Sequence, residues 1–353
     1  DVNRDGWPDV VGLHALGTDA GVIFFINQRN GSFTPAHQPL TSMPCTTTDR
    51  SNVAFGDFNH DCKMEMAVAC RSGVEVLEPS AGVVDYVFSR TVAAGDAGSR
   101  AFIGIAAGDL NNDGFDDLAL ADFQNYGAEP TPGYTWLQYG QADGGFFQRR
   151  ILTQDQSVAT AIADMNNDGL KDVVVSFSKS QKNLVQVLNN RDGGAFDVTE
   201  HSTAPETPNA FALHDFNGDG FLDMAVCSNA GNTGDKVALL FSDGGSLVRT
   251  GAVQVRNIPW DVAVGDLNGD GFTDLFVASN YNAGNSSMSG GLNLVRGNGP
   301  GVFGSSRLLD GGTANSSLGV ADFNRDGVSD VVFKAGPRIR VITSQGTGCP
   351  AIR

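Results

Sequence analysis

Seven short segments of this 353-residue chain carry oxygen-bearing side chains at fixed spacing. Residues 1–9 read Asp-Val-Asn-Arg-Asp-Gly-Trp-Pro-Asp. Residues 57–65, 109–117, 164–172, 215–223, 266–274 and 322–330 follow the same plan, Asp-x-Asn-x-Asp-Gly-x-x-Asp. Positions 1, 3, 5 and 9 offer side-chain oxygens, and position 7 can add a backbone carbonyl. Hard oxygen donors in this number suit calcium, which takes about six to eight of them in a flexible shell. The candidate ligands are Asp1, Asn3, Asp5, Trp7 and Asp9 in the first loop and Asp57, Asn59, Asp61, Lys63 and Glu65 in the second. Asp109, Asn111, Asp113, Phe115 and Asp117 follow, then Asp164, Asn166, Asp168, Leu170 and Asp172, then Asp215, Asn217, Asp219, Phe221 and Asp223. The last two sets are Asp266, Asn268, Asp270, Phe272 and Asp274, and Asp322, Asn324, Asp326, Val328 and Asp330. Gly at position 6 permits the positive-φ turn that such a loop needs. The second loop departs from the plan, with Cys62 in place of Gly and Glu65 in place of the last Asp.

The charge supports this reading. The chain has a formal net charge of −17, and the seven segments hold 22 acidic and 4 basic residues, so the remainder is nearly neutral. Like charges packed so tightly repel unless a cation joins them. An acidic chain of this kind is not expected to bind nucleic acid or an anionic membrane. No apolar run approaches the ~18 residues of a membrane-crossing helix. At extracellular calcium levels, a site with Kd about tenfold below the free ion adds about 1.4 kcal/mol, and seven give on the order of 10 kcal/mol. That is comparable to the whole stability of a typical domain. Six to seven structural calcium ions are therefore expected, in an extracellular or cell-surface setting.

The elements that position these loops repeat with them. The loop starts are separated by 56, 52, 55, 51, 51 and 56 residues. A period of this size signals a repeat architecture. A short strand ends at each loop, as in Val262-Ala263-Val264-Gly265. An apolar run such as Val173-Val174-Val175 follows. Two further strands flank a Gly-rich turn such as Asp243-Gly244-Gly245. No stretch has helical periodicity. The fold class predicted is all-β, a seven-bladed β-propeller of four-stranded blades filling residues 1–353, with an acidic loop between the first and second strands of each blade. Because the sequence opens inside a loop, blade 1 is expected to lack its first strand and blade 7 a clear last one. A longer chain, with a further N-terminal piece, is the expectation; the alternative is that the tail 348–353 supplies a strand.

These loops and their period resemble the FG-GAP/VCBS family, the calcium-loop propellers of integrin alpha-chain heads, propeller lectins and many bacterial surface proteins. The start of each loop is also similar to an EF-hand loop, without its Glu at position 12 or its flanking helices. The resemblance implies that the acidic loops hold calcium on one face and that partners bind on the other. Long connections on that other face are expected at 122–134, with Tyr126 leading into Trp136, and at 279–290, with Tyr281 and Asn282. Trp260 precedes a first strand at a position held elsewhere by Ser51, Ile103, Val158, Asn209 and Ser316. Aromatic faces beside amide groups suit a sugar, through C–H stacking and directed hydrogen bonds.

A catalytic reading finds little in the residues. His14, His37, His60, His201 and His214 share no metal-ligand spacing, and no nucleophile motif is present. Gly299, Gly301 and Gly304 read as a hairpin turn rather than a phosphate loop. Of the five cysteines, Cys45 and Cys70 lie at the ends of a predicted antiparallel hairpin and are expected to form a disulfide, which suits an oxidising compartment. The function expected is a secreted or surface module that binds a glycan or protein. The alternatives are a polysaccharide-acting propeller enzyme or its accessory domain, and a structural subunit of a surface assembly.

Overall fold

A computed structural model describes residues 1–16, 19–39, 53–70, 73–80, 86–93, 102–123, 133–153, 156–177, 183–191, 194–205, 207–228, 236–280, 290–311, 317–335, 338–344 and 351–352. Among these residues every regular element is a β-strand, and the strands form seven antiparallel sheets of consecutive strands. These are the seven predicted blades. Blade 1 has three strands, Val10–Leu16, Asp19–Asn27 and Phe33–Pro39. The other six have four each and span 53–93, 102–153, 157–202, 208–254, 258–311 and 318–352. Blade 3 illustrates the plan: Phe102–Gly108, the acidic loop, Asp117–Asp122, Gly133–Gly140 and Phe146–Thr153.

The hydrophobic pattern explains where each strand lies. Second strands such as Asp172–Phe177 are buried along their whole length, so they read as continuous apolar runs. Fourth strands such as Leu247–Gln254 alternate between covered and exposed residues, as expected for the outer edge of a blade.

Seven principal hydrophobic clusters occupy the seven blade-to-blade interfaces. Phe24 packs with Met66 and Leu77 between blades 1 and 2, and Phe58 with Leu118 and Trp136 between blades 2 and 3. The series continues through Leu110 with Val173, Met165 with Met224, Phe216 with Leu275 and Leu267 with Val331. It closes with Phe323 and Val332 against Val10, which joins blade 7 to blade 1. Each cluster includes the residue at position 2 of an acidic loop: Phe58, Leu110, Met165, Phe216, Leu267 and Phe323 at 0–7% exposure, with half-buried Val2 against the first. The loops therefore carry the plugs that seal the ring.

The last blade corrects one expectation. Ala351–Ile352 pairs with Arg338–Thr343 through Ile342↔Ile352 and Thr343↔Ala351, giving blade 7 its fourth strand. Two residues are too few to show a strand period in sequence, which is why the tail carried no clear signal.

Polar bonds repeat the same closure. The Asn190 amide donates to the Lys171 carbonyl in its own blade and to the Leu110 carbonyl in the preceding one. Asn27 makes the equivalent bonds to Pro8 at 3.1 Å and, across the ring seam, to Phe323 at 2.8 Å. Asn27→Ala should leave these carbonyls without a donor and lower stability by about 1–3 kcal/mol, read as the midpoint shift in chemical denaturation. An unchanged midpoint would show that the seam does not depend on this side chain.

Candidate functional site

All seven acidic loops adopt one conformation, set by two left-handed residues. Position 6 has φ between 64° and 92°, from Cys62 to Gly220. Position 4 is left-handed as well: Arg4, His60, Asn112, Asn167, Gly218, Gly269 and Arg325 have φ between 57° and 78°. The sequence signalled the first through its Gly residues. The second is invisible in Arg4 and Arg325, whose residue type carries no such preference.

This double turn aims backbone N–H groups at the carboxylates. The N–H of position 6 donates to Oδ2 of position 1, from Gly6 on Asp1 at 2.6 Å to Gly327 on Asp322 at 2.9 Å. The N–H of position 5 donates to Oδ1 of position 1 and to Oδ1 of the Asn at position 3, as Asp113 does to Asp109 and Asn111. The N–H of position 7 donates to Oδ1 of position 5, from Trp7, Lys63, Phe115, Leu170, Phe221, Phe272 and Val328. The second oxygen of position 5 takes the Asn amide in five loops, Arg29 in the first and Lys63 in the second. The Trp7 N–H and the Arg29 guanidinium hold Asp5 below the usual carboxylate range, and Lys63 does the same for Asp61.

The position-9 residue has a different job. Asp117, Asp172, Asp223, Asp274 and Asp330 are fully buried, as is Glu65. One oxygen accepts the position-2 N–H at 2.8–3.1 Å in all seven loops. In six loops the other accepts an N–H at the end of the strand that pairs with the one following the loop (the third strand of a four-stranded blade, the second of blade 1), from Asn27, Gly140, Asn190, Ser242, Gly297 and Ser344. Burial raises the carboxyls of Asp117, Asp172, Asp223, Asp274 and Asp330 despite the two bonds that lower them. Asp117 is pushed up to about 7, and Asp172, Asp274 and Asp330 to about 6. Burial also pushes Glu65 up to about 7, against the lowering bond from the Phe58 N–H.

Neighbouring loops touch. His60 Nδ1 lies 2.6 Å from the Gly114 carbonyl, the Asn167 amide donates to Gly220, and Arg325 stacks over Trp7. The Asp116 N–H donates to the Asp57 carbonyl, and Asp116 Oδ2 accepts the Asp57 N–H. As a donor set, three carboxylates and an Asn oxygen on a turn held by its own backbone fit a hard divalent cation. Asp1, Asn3, Asp5 and Asp9 and their counterparts would hold it.

The predicted ligand face is only partly described. Tyr126, Tyr281, Asn282 and Cys45 lie outside the described residues. Cys70 is disulfide-bonded and buried, Cys227 is a buried free thiol, and Cys62 is free and exposed. Trp136 differs from its expected role as a ligand contact. It is 1% exposed within the core between blades 2 and 3, and its indole N–H donates to buried Asp122 at 3.0 Å. Its ring is used for packing and offers no face to a sugar. Trp260 is half-buried and falls at a register shift in the first strand of blade 6, with its carbonyl accepting from Asn209. Corresponding shifts occur at Ile103, Val158 and Asn209–Ala210. All four lie at the end of the first strand away from the acidic loop. No helix among the described residues is long and apolar enough to cross a membrane.

The raised carboxyls have a pH consequence. A group that holds its proton more tightly folded than unfolded supports folding below the ordinary carboxylate range and loses that support as pH rises through 6–7. In excess chelator, Tm should therefore rise as pH falls from about 7.5 to about 5.5. A flat or falling Tm over that range would contradict the burial of these groups.

Known proteins with this architecture place the chain in context. FG-GAP-like repeats match residues 1–68, 109–175, 164–226, 215–277 and 266–333. No curated protein matches the chain. Among solved structures, an Agrocybe aegerita lectin described as recognising non-reducing terminal N-acetylglucosamine is 18% identical. The match covers 99% of this chain and 90% of that one, with TM-score 0.63. A functionally unknown protein from Desulfotomaculum acetoxidans is 13% identical, with 97% and 98% covered and TM-score 0.63. A Lactobacillus plantarum protein is also 13% identical, with 98% and 95% covered and TM-score 0.64. At these identities the likeness is one of fold. With repeats matched over most of its length and a loop of one design in every blade, the chain belongs to the FG-GAP-like repeat family.

Proposed function

We propose that this chain is a calcium-stabilised binding module, working outside the cytoplasm or at a cell surface, that takes a glycan on the face opposite the acidic loops. The observation that carries the glycan reading is the match over 99% of the chain to a propeller lectin. Half-buried Trp260, at the far end of its strand from the acidic loop, supplies an aromatic surface of the kind that stacks on a sugar ring. The acidic loops support the calcium reading through their donor chemistry. A bound cation would neutralise the carboxylates of each loop and pin it. The plugs at position 2 would then stay seated between the blades. Such a role is structural, with no open position for chemistry on the ion.

The test is a glycan array that includes glycans ending in N-acetylglucosamine, run in millimolar calcium and again in excess chelator. Binding should be retained in calcium and weakened in chelator, with a drop in Tm to match. Trp260→Ala should weaken glycan binding by about tenfold, the order expected for losing an aromatic stacking partner. Turnover of a polysaccharide would replace this reading with the enzymatic one. Unchanged Tm with no metal in the untreated protein would remove calcium from it.

A further inference from the structure

The chain holds four Asn-Gly pairs: Asn30-Gly31, Asn217-Gly218, Asn268-Gly269 and Asn298-Gly299. Such a pair can react with itself. The backbone nitrogen of the glycine attacks the side-chain carbonyl carbon of the asparagine, and a glycine, lacking Cβ, leaves that approach open. Folding controls two requirements of the reaction. One is a backbone N–H free to lose its proton. The other is a set of donors for the charge that develops on Oδ1.

In three of the pairs the fold holds the glycine back. The Gly218 N–H donates to Asp215 Oδ1 and the Gly269 N–H to Asp266 Oδ1, both at 2.7 Å. A proton held against a carboxylate is hard to remove, because the nitrogen anion left behind would face a like charge. The side-chain amides of Asn217 and Asn268 are pinned too, donating to Asp219 and Asp270 at 2.8 Å. Asn298 belongs to the strand Gly291–Gly299, where Gly299 pairs with Val302, so its backbone is committed to a ladder.

Asn30 is arranged the other way. It sits with Gly31 and Ser32 in the turn between the second and third strands of blade 1, and all three residues are exposed. Its Oδ1 accepts the Ser32 N–H at 2.9 Å and the Ser32 hydroxyl at 2.6 Å. These are the donors that an oxyanion at this carbon needs. Among the described residues nothing accepts the Gly31 N–H. Nucleophile, electrophile and oxyanion donors thus come from three consecutive residues.

We propose that Asn30 is a self-processing site, converted without an enzyme to a mixture of aspartate and isoaspartate. Hydroxide from solvent takes the Gly31 amide proton. The nitrogen bonds to Asn30 Cγ, the Cγ–Nδ2 bond breaks, and the amide group leaves as ammonia after taking a proton from water. Water then opens the cyclic imide at either carbonyl. The sum is one water consumed and one ammonia released, with no change of oxidation state. The product places a new negative charge on the residue after Arg29, whose guanidinium now donates to Asp5 Oδ2. Nothing in this step depends on what the acidic loops bind.

The test is peptide mapping by mass spectrometry of the whole folded chain, aged for days in neutral and in mildly alkaline buffer, beside a sample aged in denaturant. In the folded chain Asn30 should convert first, and faster at the higher pH, while Asn217, Asn268 and Asn298 stay intact. In denaturant all four should convert. Ser32→Ala removes one of the two donors and should slow conversion of Asn30 by about two- to tenfold, the effect of one neutral hydrogen bond. Asn30→Gln should abolish the more acidic form that ageing produces on ion exchange. Three results would each overturn the proposal: an Asn30 that stays intact in the folded chain yet converts in denaturant, one common rate for the four pairs in the folded chain, or a Ser32→Ala variant that ages as fast as wild type.

Discussion

The ring depends on a buried carboxylate that holds two backbone strands at once. In six blades, position 9 accepts one N–H from the loop it ends and one from the end of the strand that pairs with the one following the loop. The loop bond fixes position 2, whose side chain packs into the interface with the next blade. Polar and apolar terms therefore meet in one residue pair. Desolvation outweighs the two hydrogen bonds, since the carboxyls of Asp117, Asp172, Asp274 and Asp330 are raised rather than lowered. An arrangement that leaves a buried anion under-compensated gains from positive charge nearby. The cation proposed for the oxygens at positions 1, 3, 5 and 9 would supply it.

Ring closure follows from repetition of these local contacts. Blade 1 meets blade 7 through the contacts that join the interior blades: a position-2 plug in Phe323, an Asn amide reaching the carbonyl of that plug, and a left-handed position-4 side chain packed on the next loop. Asn27 and Phe323 stand to each other as Asn190 and Leu110 do. Each interface is small, and each blade has two. Loosening one loop therefore weakens two neighbours, as expected for a quasi-one-dimensional repeat array closed on itself.

Much of this was legible in sequence. The loop spacing gave the blade count, the Gly at position 6 gave the turn, and unbroken apolar runs gave the buried second strands. Three features were not legible, each for a physical reason. The plugs alternate with Asp and Asn in the loop, so Phe58 and Leu110 read as loop fillers until the blades are assembled. Trp136 resembled a surface aromatic, because sequence does not reveal that Asp122 lies beside it to satisfy its indole N–H. Glu65 lacks the second N–H bond of the other position-9 carboxylates because Met66 faces Leu77, which puts Pro79 at the donor position, and strand register is not written in sequence.

The two ends of the first strands obey different constraints, which explains why the fold is easier to read than the ligand. At the acidic end, backbone geometry dictates side-chain type: a carboxylate must meet particular N–H groups, and a change at one position, such as Glu65, has consequences through the loop. At the far end, the register shift recurs in blades 3 to 6, yet its residues are Ile103, Val158, Asn209 and Trp260. Ile103 and Val158 are buried with Phe123, Asn209 is buried and bonds the Trp260 carbonyl, and Trp260 is half-buried. One backbone position thus accepts an aliphatic, an amide or an indole without disturbing the ring. Side chains at that end can differ between blades at little cost to folding. The same freedom that suits a recognition surface removes the pattern by which a sequence would disclose its ligand.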